Sequence, residues 1–291
     1  MKRVLGLPEV AAHLRLLRPA NGVMMGVIVI VGALIAGGGR LPGPLELLGG
    51  FATAFLLNSS AMVLNDIVDV DIDRLNDPGR PLPSGRVSLG AARAMFLALS
   101  ASGLLIPAFM GLPELVVAAL SYVDAVVYDA VTKRTGLLGN FMVAATGVSP
   151  IVFGAVMVRP DVPPVIALEA AMIFLAMVGR EIAKGVADVE GDRAHGVRTL
   201  AVTLGPRRAA AASLAFFAAA VSLSPLPPAL GMAGPLAYSL PVAATDVAFI
   251  YESVRLLLRP DRATALRAKD VELAVVPLAL LGFSLGALRW L

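Results

Sequence analysis

The stretch that decides the architecture is Ala20-Asn21-Gly22-Val23-Met24-Met25-Gly26-Val27-Ile28-Val29-Ile30-Val31-Gly32-Ala33-Leu34-Ile35-Ala36-Gly37-Gly38. It carries no charge. A helix that crosses a bilayer needs roughly 20 mostly apolar residues, and this run supplies them. No small-residue cleavage site followed by a polar mature start is present, and more such runs follow, so it reads as a retained span and not a signal peptide. The later runs lie at about 45–65, 90–110, 113–131, 137–158, 163–183, 207–227, 232–254 and 271–290, which predicts nine spans. They lack two-residue alternation, so they predict helices and not barrel strands. Helices also satisfy their own backbone polar groups in lipid. The many Gly and Ala residues suit close helix packing.

Composition agrees. The 291 residues are 58% hydrophobic and 15% charged, with a mean hydropathy of +0.83. A soluble domain runs near 45–50% apolar and about 25% charged. Disorder is excluded, because it needs low hydrophobicity and high charge. There is no Cys, which excludes a disulfide scaffold, a thiolate metal site and a Cys nucleophile. The two His, His13 and His195, do not make a multi-histidine zinc or haem site. The net charge of +3 is modest and its placement matters more than its total. No nucleic-acid partner is expected.

With the N-terminus inside, the cations sort by side. The inner segments hold Lys2, Arg3, Arg15 and Arg18; Arg74, Arg80, Arg86 and Arg93; Lys133 and Arg134; Arg180, Lys184, Arg193, Arg198, Arg207 and Arg208; and Arg255, Arg259, Arg262, Arg267 and Lys269. Only Arg40, Arg159 and Arg289 fall outside, a 21:3 split. That split predicts a multi-pass protein of the cell membrane with a cytoplasmic N-terminus and an external C-terminus. No loop is long enough to fold a core of its own, so residues 1–291 read as one polytopic domain.

The acids cluster. The loop after span two begins Asn65-Asp66-Ile67-Val68-Asp69-Val70-Asp71-Ile72-Asp73. On a continuing helix at about 100° per residue, Asn65 sets zero and Asp69, Asp73 and Asp66 fall at about 40°, 80° and 100°. Four polar groups then share a face, while Asp71 points away. The region after span six repeats the pattern. Glu181, Asp188 and Asp192 share a face, Lys184 lies beside it, and Glu190 lies opposite. Asp69 to Asp188 and Asp73 to Asp192 are both 119 residues. Two matched pairs at the ends of even-numbered spans suggest two related four-helix halves plus one helix, around a central cavity.

Unpaired carboxylates four apart repel, and near a bilayer they are costly and usually functional. Mg²⁺ takes one or two carboxylates with phosphate oxygens and water. Two facing acidic patches therefore suit two or three Mg²⁺ ions around a diphosphate, and an apolar tail on that diphosphate explains a site at the membrane surface. The plainer account, salt bridges to Arg74, Arg80 and Arg193, fits one pair better than two matched pairs.

Asn65-Asp66-x-x-Asp69-x-x-x-Asp73, with Asp188-x-Glu190-Gly191-Asp192, resembles the UbiA superfamily of intramembrane prenyltransferases from Arg15 to about Leu204. Leu17-Arg18-Pro19-x-Asn21, Arg80-Pro81-Leu82-Pro83-Ser84-Gly85, the stretch from Tyr128-Asp129 to Lys133-Arg134-Thr135-Gly136, and Gly179-Arg180-Glu181-Ile182-x-Lys184 are similar to archaeal digeranylgeranylglyceryl phosphate synthases. The resemblance implies transfer of a geranylgeranyl group from its diphosphate to the hydroxyl of geranylgeranylglyceryl phosphate, with Mg²⁺ as cofactor. On that basis Asn65, Asp69, Asp73, Asp188 and Asp192 are the expected metal ligands, with Asp66 in or near the shell. Lys133 and Arg134 would meet charge on the leaving diphosphate, although they also serve as topology anchors. Tyr128 would face the allylic cation or anchor the interface. Arg18, Asn21, Arg80, Ser84 and Arg86 are candidates for the acceptor phosphate, and Lys184 for either phosphate. Asp124 and Asp246 inside spans are functional or structural. Phe51, Phe55, Phe141, Phe153 and Phe174 line the tail channel or merely pack. An aromatic acceptor such as 4-hydroxybenzoate stays open within the family. An organic-anion transporter is a different class, weighed against by acids at the interface and not the midplane. A lipid-binding protein without chemistry is a third.

Overall fold

The computed structural model describes residues 7–194 and 196–288, together with all but a few of their side chains. Lys2, Arg3, His195, Arg289 and the side chain of Arg134 lie outside the described residues. All regular structure among the described residues is helical. In order it is α1 (Leu7–Leu17), α2 (Pro19–Ala36), α3 (Pro44–Val68), α4 (Val70–Asn76), α5 (Leu89–Met110) and α6 (Leu112–Ala130). A 3-10 turn (Thr132–Arg134) leads to α7 (Leu137–Val156), α8 (Pro164–Ala187) and α9 (Val189–Ala194). The chain continues through α10 (Leu200–Leu204), α11 (Pro206–Leu223), α12 (Leu226–Ala229), α13 (Pro235–Leu258) and α14 (Arg262–Ala287).

Nine of the described helices, α2, α3, α5, α6, α7, α8, α11, α13 and α14, have 18 or more residues. Among the described residues, six stretches are long and apolar enough to cross a membrane: Glu9–Ala36, Pro44–Val68, Leu89–Met110, Leu137–Val156, Pro206–Ala229 and Arg262–Ala287. The remaining long helices carry internal acids: Glu114, Asp124 and Asp129 in α6, Glu169 and Glu181 in α8, Asp246 and Glu252 in α13. The last helix corrects a sequence expectation. It begins at Arg262 and not near residue 271, because the Asp261 carboxylate accepts the Thr264 N–H at 2.8 Å and caps its first turn. Arg262, Arg267 and Lys269 therefore sit on a helix instead of a loop.

Helix α2 packs between α3 and α7, α3 against α5, α7 against α8, α8 against α11 and α14, and α13 against α14. The crossing of α2 and α7 is backbone to backbone. A Cβ on Gly32 would run into the Ile151 carbonyl, and one on Gly154 into the Val29 carbonyl. Small residues let helices approach where lipid gives no hydrophobic push between them. Ile28, Ile35, Ile151, Ile166, Tyr238 and Phe283 form the main core behind that crossing. Gly136 (φ 70) turns the chain from the 3-10 turn into α7 beneath the Arg198 carbonyl, and so holds the Lys133 turn in place.

Candidate active site

Helices α3 and α8 stop in the same way. Asp69 caps α3 with φ −91 and ψ 3, its N–H on the Asn65 carbonyl at 2.9 Å. Asp188 caps α8 with φ −102 and ψ 6, its N–H on the Lys184 carbonyl at 3.2 Å. Each is followed by a short helix, α4 or α9. The Asp73 N–H bonds the Asp69 carbonyl and the Asp192 N–H the Asp188 carbonyl, both at 2.8 Å. The straight helix expected through each motif is thus broken at Asp69 and at Asp188. The break re-aims the side chains that follow it. Glu190, expected on the far side, lines the same cavity as Asp188 and Asp192. Asp66, expected on the shared face, lines neither cavity and is buried elsewhere.

Two cavities meet at these helix ends. A polar one of about 550 Å³ is lined by Asn65, Asp69, Asp73, Tyr128, Lys133, Asp188, Glu190, Asp192 and Arg262. An apolar one of about 350 Å³ runs between α2, α3, α6, α7 and α8, past Met25, Val29, Thr53, Ala54, Leu57, Val117 and Phe153. Asn65 and Tyr128 line both. From Asn65 to Thr53 the apolar cavity follows 12 residues of α3, about 18 Å of helix. Of the expected channel phenylalanines only Phe153 lines it. Phe51 and Phe55 cover Gly26 and Gly22, while Phe141 packs on Phe174 and Phe216.

Charge pairing orders the polar end. Lys133 Nζ donates to Asp69 Oδ1, and Arg80 Nη1 donates to Asp73 Oδ2. Arg18 Nη2 lies 2.8 Å and Arg80 Nη1 3.7 Å from the same Asp66 oxygen. Asp66 is therefore the shared counter-ion of two arginines. Burial alone would lower the Arg80 pKa, but the hydrogen bond and charge of Asp73, with Asp66 and Asp77, hold it above its ordinary value. Arg18 itself sits at φ 46, the only described non-glycine residue with positive φ, between α1 and α2. Such a conformation costs about 1–3 kcal/mol and persists where surroundings enforce it; here the Asp66 ion pair and the Met62 sulfur at 3.3 Å do so.

The other expected residues separate. Arg18 and Lys184 line the apolar cavity, Lys184 with Glu181 at 3.3 Å. Asn21 is exposed and lines neither cavity, and its side-chain NH₂ lies 4.0 Å from the Met62 sulfur. Ser84 Oγ donates to the Arg80 carbonyl at 2.6 Å, and Arg86 donates to Ser84 Oγ at 3.0 Å and to the Gly79 carbonyl. Ser84 and Arg86 thus brace the loop that carries Arg80 and line neither cavity. Asp124 accepts from Thr146 and Asp246 from Ser224, each at 2.6 Å, which ties neighbouring helices together.

Three charged lining residues were not singled out as site residues from sequence. Glu190 was misplaced by the straight-helix assumption, and Arg262 was hidden in what read as a loop. Asp129 lines the apolar cavity and accepts a hydrogen bond from Asn65 Nδ2 at 2.9 Å. Its signal was its place beside Tyr128 in a quoted motif.

The donor set suits a hard cation. Every potential ligand on the two walls is an oxygen, from Asn65, Asp69 and Asp73 on one side and Asp188, Glu190 and Asp192 on the other. Among the described residues, no three Asp, Glu or His side chains converge tightly enough to hold a metal by themselves. That arrangement fits Mg²⁺, which completes its shell with substrate phosphate oxygens and water.

The UbiA prenyltransferase family matches residues 25–276. A digeranylgeranylglyceryl phosphate synthase of Archaeoglobus fulgidus is 36% identical over 275 residues, 94% of each chain. A solved structure of digeranylgeranylglyceryl phosphate synthase in membranes superposes with a TM-score of 0.83 at 30% identity, covering 97% of this chain and 99% of that one. A UbiA homologue from Archaeoglobus fulgidus bound to DMAPP and Mg²⁺ shares the fold, with a TM-score of 0.63 at 20% identity over 91% of this chain and 99% of that one. With its motifs on the walls of one cavity and its relatives matched along almost their whole length, the chain belongs to the UbiA prenyltransferase family.

Proposed function

We propose that the protein is a membrane prenyltransferase of the digeranylgeranylglyceryl phosphate synthase type. It moves a geranylgeranyl group from its diphosphate to the free hydroxyl of geranylgeranylglyceryl phosphate. The observation that carries this is the acid-lined polar cavity opening at Asn65 and Tyr128 into an apolar one. A charged head and a long hydrocarbon tail need those two environments side by side.

Asn65, Asp69 and Asp73 on one wall and Asp188 and Asp192 on the other would hold Mg²⁺. When bound, Mg²⁺ supplies Lewis-acid stabilisation of the leaving diphosphate; a relative of the same fold was bound to DMAPP and Mg²⁺. The bond between C1 of the prenyl chain and the diphosphate oxygen breaks, and its electron pair leaves with the diphosphate. The acceptor hydroxyl oxygen forms the new ether bond to C1 and loses its proton to solvent. Lys133 and Arg262, the cations lining the polar cavity among the described residues, meet the charge that builds on the leaving group. Tyr128 lies where head and tail meet, so its ring can face the allylic cation. Arg18 lines the adjoining cavity and suits the acceptor phosphate. Arg80, braced by Ser84 and Arg86, orders Asp66 and Asp73.

Residues 1–291 act as one polytopic domain whose nine long helices cross the cell membrane. The polar cavity draws on the segments after α3, α6 and α8 and on the start of α14, all at one end of the bundle. The charge split puts that end in the cytoplasm, with the N-terminus. The two halves are related by duplication, α2–α6 and α7–α13 with α14 added. The matched stops at Asp69 and Asp188 and the matched pairings α2–α3 with α7–α8 and α3–α5 with α8–α11 support this.

The test is transfer by detergent-purified protein from labelled geranylgeranyl diphosphate, with geranylgeranylglyceryl phosphate and 4-hydroxybenzoate in competition. Labelled diether phosphate is expected, lost with EDTA and by at least about a hundredfold in Asp69→Ala and in Asp188→Ala. Prenylated benzoate as sole product would overturn the acceptor. Activity that survives EDTA would overturn the metal role.

A further inference from the structure

An amide has two ends that differ in chemistry. Its oxygen can bind a cation and its NH₂ cannot. Asn65 lines both cavities, so which end faces them decides whether it can serve a metal. Its side-chain partner is Asp129, on the last turn of α6, which lines the apolar cavity but not the acid-lined one. Asn65 Nδ2 donates to Asp129 Oδ1 at 2.9 Å, and Asp129 is 4% exposed. A carboxylate only accepts hydrogen bonds, so the reversed amide would set oxygen against oxygen in a buried place. Lys133 and Arg18 are the cations whose charge bears on Asp129, and Asp69 is the nearby acid. Among the described residues, the Asn65 side-chain oxygen, Oδ1, takes no hydrogen bond within the protein.

We propose that Asp129 is a positioning residue that turns the Asn65 oxygen toward the acid-lined cavity. It does so by accepting the amide's NH₂, and it ties the end of α6 to the end of α3 at that point. The proposal deepens the function above and rests on Asn65 being a metal ligand. It gives the acid beside Tyr128 a task that neither binding nor bond-breaking accounts for.

The test titrates Mn²⁺ into the detergent-purified protein with geranylgeranyl diphosphate and no acceptor, reading free Mn²⁺ by EPR. Asp129→Asn keeps the size but offers both NH₂ and oxygen, so either end of Asn65 can face it. Mn²⁺ affinity is expected to fall about tenfold, as for other outer partners of metal ligands. Asp129→Glu still only accepts, and is expected to keep more of the affinity than Asp129→Asn. The reversed pair, Asn65→Asp with Asp129→Asn, is expected to bind Mn²⁺ more tightly than Asn65→Asp alone, which sets two carboxylates face to face. Wild-type affinity in Asp129→Asn, with Asn65→Ala weakened, would overturn the positioning role and leave the metal reading standing. Wild-type affinity in Asn65→Ala as well would remove Asn65 from the metal shell and take the proposal with it. Thermal unfolding of each variant identifies any that fail to fold, and the reversed pair then decides.

Discussion

The Lys133 ammonium donates to the Asp69 carboxylate across the space between the turn after α6 and the end of α3. Both side chains are largely buried and both line the polar cavity. Lys133 is therefore placed to serve both the acid and the diphosphate of the proposed donor. Lys133→Ala is expected to lower kcat by about a hundredfold, the scale of losing one preorganised charge partner. The Mg²⁺ concentration for half-maximal rate should stay level or fall, since Asp69 loses a competing cation. Steady-state kinetics across a Mg²⁺ series checks both. A raised Mg²⁺ requirement with unchanged kcat would mean that Lys133 only shapes the metal site.

Arg80 bridges Asp66 and Asp73, and Arg18 still reaches Asp66 without it. Breaking a fully buried pair costs about 3–5 kcal/mol. Arg80 is partly exposed and Asp66 keeps one partner, so Arg80→Ala should cost less, about 1–2 kcal/mol. Thermal unfolding in detergent reads this. Arg80→Lys should recover part of the stability, because an ammonium reaches one acid where the guanidinium spans two.

Ala54 lies on the apolar cavity near its deep end, far along α3 from Asn65. Ala54→Phe fills that end while leaving the acids untouched. The protein should then prefer geranyl over geranylgeranyl diphosphate, shifting the ratio of kcat/KM by at least about tenfold, the worth of roughly 1.4 kcal/mol of lost tail burial. Paired assays with the two donors measure it. An unchanged ratio would show that the tail runs elsewhere.

At the α2–α7 crossing, a methyl on Gly154 meets the Val29 carbonyl with no side chain able to yield. Gly154→Ala should destabilise the protein by about 1–3 kcal/mol, the range for overpacking a tight core. The Mg²⁺ dependence of the remaining activity should not move, because the crossing lies away from the acids. A shift in metal dependence would tie the crossing to the site.

Spans and chemistry were legible in the sequence because each is written in neighbouring residues. An uncharged run such as Ala20–Gly38 cannot stay in water, and acids four apart without His or Cys beside them suit oxygen-bound cations. Asp69, Asp73, Asp188 and Asp192 were found that way, and they line one cavity. What the chain alone could not supply was direction. The turn at Asp188 brings Glu190 to the cavity, while Asp66, on α3 ahead of its turn, is taken up by Arg18 and Arg80 packing over it. Arg262 reaches the acids because Asp261 starts α14 early. Asp129 meets Asn65 across 64 residues of chain. Periodicity reports which residues share a helix face only while the helix runs straight. Which side chains from separate helices meet is set by packing, and packing is decided by the backbone contacts of residues such as Gly32 and Gly154 once the bundle has formed.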